Sequence, residues 1–131
     1  MPCLDTDFLI ALLRRRPEAV SRLEHYASTG QSVSTTAISA CELYRGAYLS
    51  KRRGEEVKKV GGILRSVNLL TLTNESCETF GRLSSQPELL AQPIGDLDLL
   101  IASIVLASDE LLVTRNVKHF SQIPDLRLEQ W

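Results

Sequence analysis

Three carboxylates stand out because each is set into apolar sequence: Leu4-Asp5, Ala40-Cys41-Glu42-Leu43 and Leu97-Asp98-Leu99. Carboxylates gathered at a mostly apolar edge repel one another and resist ionisation. A hard divalent cation relieves that cost, because Mg²⁺ takes oxygen ligands and keeps several of its waters. Such an ion can activate water and stabilise charge on a phosphoryl group, so these residue types suit hydrolysis of a phosphodiester. They suit nucleophilic triad chemistry poorly. His25 and His119 are the only histidines, and no serine or cysteine stands in a recognisable nucleophile setting. The two histidines also lack the spacing of zinc ligands and read as surface or packing residues. Singly, each acid has a plainer reading: Asp5 as a helix cap, Asp7 as a first-turn acid favoured by the helix dipole, Glu42 as a solvated helix residue. Asp96 and Asp98 compete; Asp98 is read as the ligand and Asp96 as the cap of the helix that follows.

The elements that must position these groups follow from periodicity. Pro2 to Leu4 is a short apolar run ending on Asp5. Phe8, Leu9, Ala11, Leu12 and Leu13 then recur at helical spacing, with Thr6 or Asp7 as the expected cap and Arg14-Arg15-Arg16 at the C-terminal end. Pro17 opens a second helix that Gly30 closes. Ser32 to Thr35 is β-prone, and Thr36 can cap a helix carrying Glu42 about one and a half turns on. A helix from about Glu55 to Val67, a strand over Leu69 to Leu72, and a helix capped by Asn74 and running to about Leu90 come next. A loop around Pro93 leads into the apolar helix Leu97 to Ala107. The chain closes with a strand over Leu111 to Thr114, a helical turn from Asn116 to Phe120 and an edge strand over Leu126 to Leu128. Alternating strands and helices predict a parallel sheet covered on both faces. In open sheets of that kind functional groups collect beyond the carboxyl ends of the strands. Asp5, Glu42, Asp98, Thr114 and Asn116 can all converge there. Arg45 and Arg115 lie nearer these acids than the other basic residues and are candidates for phosphate contacts.

The 131 residues, 44% hydrophobic and 24% charged, are expected to form one domain, 1–131. A net charge of -1 lacks the basic signature usual in nucleic-acid binders, so anionic ligands would have to be handled by local charge and bound cations. Cys3, Cys41 and Cys77 are odd in number with no C-x-x-C spacing and read as reduced, buried thiols. No window approaches the run of about 20 apolar residues that spans a bilayer, and Asp5 and Asp7 interrupt the N-terminal apolar segment. A cytoplasmic protein without membrane contact is expected.

Taken together, the segments Leu4-Asp5-Thr6-Asp7, Ser39-Ala40-Cys41-Glu42-Leu43-Tyr44-Arg45-Gly46, Pro93-Ile94-Gly95-Asp96-Leu97-Asp98-Leu99-Leu100-Ile101-Ala102 and Leu112-Val113-Thr114-Arg115-Asn116, with Phe120 through Pro124, Leu126 and Trp131, resemble a PIN-domain ribonuclease of the VapC toxin type. The likeness covers essentially the whole chain and rests on the order and spacing of these segments. It implies a three-layer α/β fold with a central, mainly parallel sheet flanked by helices. It also implies a nuclease that cuts RNA as the toxin of a toxin–antitoxin pair, with Asp5, Glu42 and Asp98 holding Mg²⁺ or Mn²⁺ directly or through water. Thr6 and Thr114 would position water or an acid by hydrogen bonding. The family often carries a fourth acid where Asn116 stands, and an asparagine supplies no charge for a second metal. A homodimer and an antitoxin that blocks the acidic pocket are further implications.

Three rivals fit less of the chain. Asp5-Thr6-Asp7 superficially matches the opening of a haloacid-dehalogenase-type phosphatase, but Leu9 and the role-less Glu42 do not. A phospho-accepting receiver domain would need an Asp after the third strand, where Thr73 and Asn74 stand. A catalytically inactive PIN-like domain that only binds RNA or a protein would account for Asn116.

Overall fold

Short strands and long buried helices build the molecule, which the computed structural model describes over residues 1–91 and 94–131. The expected loop residues Gln92 and Pro93 lie outside that description. In chain order the elements are β1 (Pro2–Leu4), α1 (Thr6–Leu13), α2 (Pro17–Ser28), β2 (Ser34–Thr36), α3 (Ala37–Leu49), α4 (Arg53–Arg65) and β3 (Asn68–Leu70). They continue with α5 (Asn74–Ser84), α6 (Pro87–Ala91), α7 (Asp96–Ala107), β4 (Leu111–Thr114), α8 (Val117–Phe120) and β5 (Arg127–Gln130). The strands pair in parallel throughout, in the order β3-β2-β1-β4-β5. The three-layer α/β fold with a parallel sheet is therefore the one observed.

Side chains alternate across a strand, and the two faces of the sheet read accordingly. Cys3 and Leu112 join Leu83, Leu99, Ile101, Val105 and Phe120 in one apolar layer. Their neighbours Leu4 and Val113 join Phe8, Leu9, Leu43 and Val60 in the other. The helix α7 buries Leu99, Ile101, Ala102, Ser103, Ile104 and Val105, and its one buried hydroxyl, Ser103, donates to the Leu99 carbonyl at 2.7 Å. Among the cysteines only Cys3 is buried, which pushes its thiol up to about 12; Cys41 and Cys77 are exposed, contrary to expectation.

Several boundaries differ from the periodic reading. Asp5, not Thr6 or Asp7, caps α1. Thr73, not Asn74, caps α5 through a capping box with Ser76, and the helix ends at Ser84 before a separate α6. Asp96 is not a cap: Gly95 occupies the cap position of α7 and offers no side chain, so Asp96 and Asp98 both lie in the first turn. Three helices end on the same backbone motif, with a left-handed residue after the C-cap: Arg15 (φ 54°), Gly30 (φ 72°) and Asp109 (φ 51°). The paired bonds Arg16 N–H to Ala11 (2.9 Å) and Arg15 N–H to Leu12 (3.0 Å) close the first of them.

The strand β2 is wholly buried yet polar, Ser34-Thr35-Thr36. Its hydroxyls are used locally: Thr35 donates to the Leu4 carbonyl at 2.8 Å, and Thr36 caps α3 by accepting from the Ser39 N–H at 3.0 Å. The Thr35 bond holds β1 at the residue before Asp5. Thr35→Val keeps the shape and orphans that buried hydrogen bond, so it should lower stability by about 1–3 kcal/mol. A urea midpoint reduced at unchanged slope is the expected reading; an unshifted midpoint would deny the bond its role.

Candidate active site

The chain leaves β1 towards β2 on one side and returns to β4 on the other, so the strand order reverses between β1 and β4. A crevice opens at the carboxyl ends of the strands at such a point. Leu4 pairs with Val113, and the Asp5 N–H extends the ladder by bonding the Val113 carbonyl at 3.0 Å. Asp5 and Thr114 therefore emerge side by side. The Asp5 carboxylate is 6% exposed. Its Oδ1 accepts from the Thr6 N–H at 2.8 Å, and its Oδ2 accepts from the Thr114 hydroxyl at 2.7 Å. Burial is the largest influence and pushes this carboxyl up to about 7, against the pull of the Thr114 bond; the negative charges of Asp7 and Asp98 push the same way as burial.

Hydrogen bonds run outwards from this centre in both directions. The Thr6 hydroxyl donates to Glu42 Oε1 at 2.7 Å, so one residue grips two of the acids, Asp5 by its backbone and Glu42 by its side chain. On the other side the Asn116 N–H donates to Thr114 Oγ1 at 3.0 Å. The Asn116 amide meets His119 Nδ1 at 2.9 Å, and the same nitrogen lies 3.2 Å from Asp98 Oδ2. The amide atom that faces the ring is Asn116 Nδ2, so Nδ1 either accepts from it or donates to Asp98, and the ring tautomer decides which of the two bonds forms. Asp98 is half-buried, and desolvation pushes its carboxyl above the ordinary value, with His119 opposing and Asp7 reinforcing the shift. Asp5, Glu42, Asp98, Thr6, Thr114 and Asn116 are thus joined in one network. They are not packed into a single ligand cage: among the described residues no three His, Cys, Asp or Glu side chains converge closely enough to hold an ion directly.

Two members were not singled out from sequence. Asp7 was read as a dipole-stabilising acid. It does lie in the first turn of α1, but its Oδ2 also accepts from the Arg115 N–H at 3.1 Å, and its Oδ1 is buried with no donor among the described residues. The available signal was its place two residues after Asp5, at the carboxyl end of a strand. His119, expected as a surface or packing residue, instead meets Asp98, and its three-residue spacing from Asn116 is the signal of a shared helical face. Arg115 is half exposed, bonds Glu18 at 2.8 Å and stacks 3.8 Å above the Trp131 ring. Arg45 is exposed on α3 and makes no side-chain hydrogen bond or ion pair among the described residues.

The donor set can be weighed against a cation. The charges of Asp7 and Asp98 raise the cost of ionising Asp5, and that of Asp7 raises the cost of ionising Asp98. One buried oxygen of Asp7 has no hydrogen-bond donor among the described residues, and the oxygens around these acids are carboxylates and hydroxyls. Such a set fits a hard divalent ion that is held by one or two carboxylates and keeps water in its remaining positions.

Comparison with known proteins agrees with this architecture. The sequence profile of the PIN domain matches residues 3–126, and the chain belongs to that family. Ribonuclease VapC19 of Mycobacterium tuberculosis is 30% identical over 127 residues, 97% of this chain and 98% of the relative. Ribonuclease VapC1 of Haemophilus influenzae is 28% identical over 128 residues, covering 98% of this chain and 96% of the relative. In the crystal structure of VapBC2 from Rickettsia felis bound to a promoter DNA fragment, one chain superposes with a TM-score of 0.90 at 28% identity, over 99% of this chain and 98% of that one.

Burial of Asp5 makes a pH signature. Its carboxyl titrates near 3.8 ordinarily and near 7 in the folded chain. Between those values the unfolded chain has lost the proton that the folded chain keeps, so the metal-free protein loses stability as pH rises from about 4 to 7. Asp5→Asn removes this penalty and retains a capping side chain. In EDTA the variant should melt about 5 °C or more above the native chain at pH 8, with a flatter profile from pH 4 to 7. Superimposable melting profiles would contradict the assigned shift.

Proposed function

We propose that this protein is a divalent-cation-dependent endoribonuclease, the toxin of a toxin–antitoxin pair, acting as a single nuclease domain over 1–131 and working in the cytoplasm. The observation that carries the reading is Asp5: a buried carboxylate at the reversal of strand order, resisting ionisation and bonded through Thr6 to Glu42. The PIN domain match and the relatives named as ribonucleases support it.

Asp5, Asp98 and Glu42 are the groups to hold Mg²⁺, with Mn²⁺ as a substitute, directly or through water. When bound, the ion would supply positive charge to the phosphoryl oxygens and would lower the cost of deprotonating water. The rest falls to the chain. Thr114 and the Thr6 N–H fix both oxygens of Asp5. Thr6 holds Glu42 by Oε1, which leaves Oε2 to orient the attacking water and accept its proton. His119 orients Asp98 from the exposed side. Asn116 adds no charge and acts as the brace between Thr114 and His119. Arg115 and Arg45 supply contacts to the phosphates of the RNA. A cognate antitoxin that covers the acidic crevice, and a homodimer, complete the assembly; the Rickettsia felis VapBC2 complex supports the antitoxin partner.

Incubation with RNA is the direct test. Cleavage should require Mg²⁺ and stop in EDTA. Asp98→Asn and Glu42→Gln should each slow cleavage by about 100-fold or more, the scale of several kcal/mol of lost charge stabilisation, with melting temperatures showing that the fold persists. Undiminished cleavage by Asp5→Asn, or cleavage at full rate in EDTA, would refute the assignment.

A further inference from the structure

Next to the acidic centre, reached across Asp7, is a cavity of about 290 Å³ whose charged wall is Arg14, Arg16 and Arg115, with Asp7 and Trp131 beside them. Three guanidinium groups stand against two carboxylates, Asp7 in the wall and Glu18 at its edge beside Arg16 and Arg115, which leaves a local positive excess in a chain whose net charge is -1. The turn that ends α1 passes through the left-handed residue Arg15, the same C-terminal motif that closes α2 and α7. The turn leaves Arg14 and Arg16 on this cavity, while Arg15 lines a different groove with Lys59 and Ile63. Neither the Arg14 nor the Arg16 side chain has a hydrogen bond or ion-pair partner among the described residues.

Arg115 is the prepositioned member. Its backbone N–H is fixed on Asp7 Oδ2 at 3.1 Å and its guanidinium lies 3.8 Å over the Trp131 ring. That ring is held edge-on against the fully buried Phe8, 4.9 Å between centroids. Stacking uses the face of a guanidinium and leaves its in-plane N–H groups to chelate oxygens. One of these donors goes to Glu18 at 2.8 Å in an exposed pair, the kind that contributes little and exchanges readily. Arg14 also borders the adjoining groove that contains Glu42 and Lys59. The basic cavity and the flank of the acidic network are therefore contiguous.

We propose that Arg14, Arg16 and Arg115 form a seat for one phosphate group of an RNA strand, separate from the phosphate that reacts. The proposal rests on the ribonuclease reading for the identity of its ligand, though not for the existence of an anion seat. It positions the strand and takes no part in bond breaking.

The test is binding of a short single-stranded RNA, with either a 5′-hydroxyl or a 5′-phosphate, to the full chain in EDTA, followed across a salt series. Each lost phosphate contact on a single strand lowers the slope of log K against log salt by about 0.7. Arg14→Gln and Arg16→Gln should each bind several-fold more weakly and show part of that decrement, and the double variant, which empties the one seat, should approach all of it. Arg115→Lys should weaken binding while preserving the slope, since it keeps the charge and loses the stack. Arg53→Gln, whose native side chain bonds the Tyr48 carbonyl at 2.9 Å and lines neither groove, serves as the control. Decrements with both strands assign the seat to an internal phosphodiester, and decrements confined to the 5′-phosphorylated strand assign it to a terminal phosphate. Slopes and affinities of Arg14→Gln and Arg16→Gln no different from Arg53→Gln overturn the proposal. So does a dependence on these arginines for binding an acidic peptide but not RNA. Intact RNA after incubation of the native chain with Mg²⁺, alongside arginine-dependent binding in EDTA, would instead remove the ribonuclease reading and leave the anion seat standing.

Discussion

A carboxylate buried at the end of the central strand is the constraint around which this molecule is arranged. Asp5 follows β1, the strand that has β2 on one side and β4 on the other. An acid buried there is held against desolvation by two hydrogen bonds, from Thr114 and from the Thr6 N–H. The same contact with Thr6 caps α1. The residue that starts the first helix is also the residue at the centre of the site, so the angle at which the chain leaves the sheet and the orientation of the carboxylate are set together.

The neighbouring polar groups act as extensions of that constraint. Thr6 carries it to Glu42 on α3, and Thr114, Asn116 and His119 carry it to Asp98 on α7. Four separate segments are thereby locked to one another by short side chains with few rotamers to order. The acids remain spaced, which suits an ion that retains water better than one enclosed by protein. Chemistry that requires charge to be concentrated at phosphorus gains from such preorganisation, since the dipoles are oriented before substrate arrives.

Positive charge is segregated instead of being mixed into this network. Arg14, Arg16 and Arg115 gather on the far side of Asp7, with Trp131 as the platform for one of them. A net charge near zero therefore hides two opposed fields side by side, which is the arrangement needed to hold a cation and a polyanion at once.

Local chemistry in the sequence was enough to determine the alternation of strands and helices, the parallel sheet and the three acids set in apolar surroundings, because side-chain period and composition depend only on near neighbours along the chain. Caps were less legible. Asp5, Thr6 and Asp7 are all competent N-cap or first-turn residues, as are Asn74 and Thr73, and the choice among them depends on where the preceding strand stops. Gly95 displaced Asp96 for the same reason. Tertiary structure alone decided the rest: that β1 lies between β2 and β4, that Thr6 reaches Glu42, that His119 meets Asp98, and that Arg115 lies over Trp131. These contacts join residues 16 to 109 positions apart in sequence and depend on strand order and burial. Burial is what shifts the Asp5 carboxyl, and it is a property of the assembled molecule rather than of any segment of the chain.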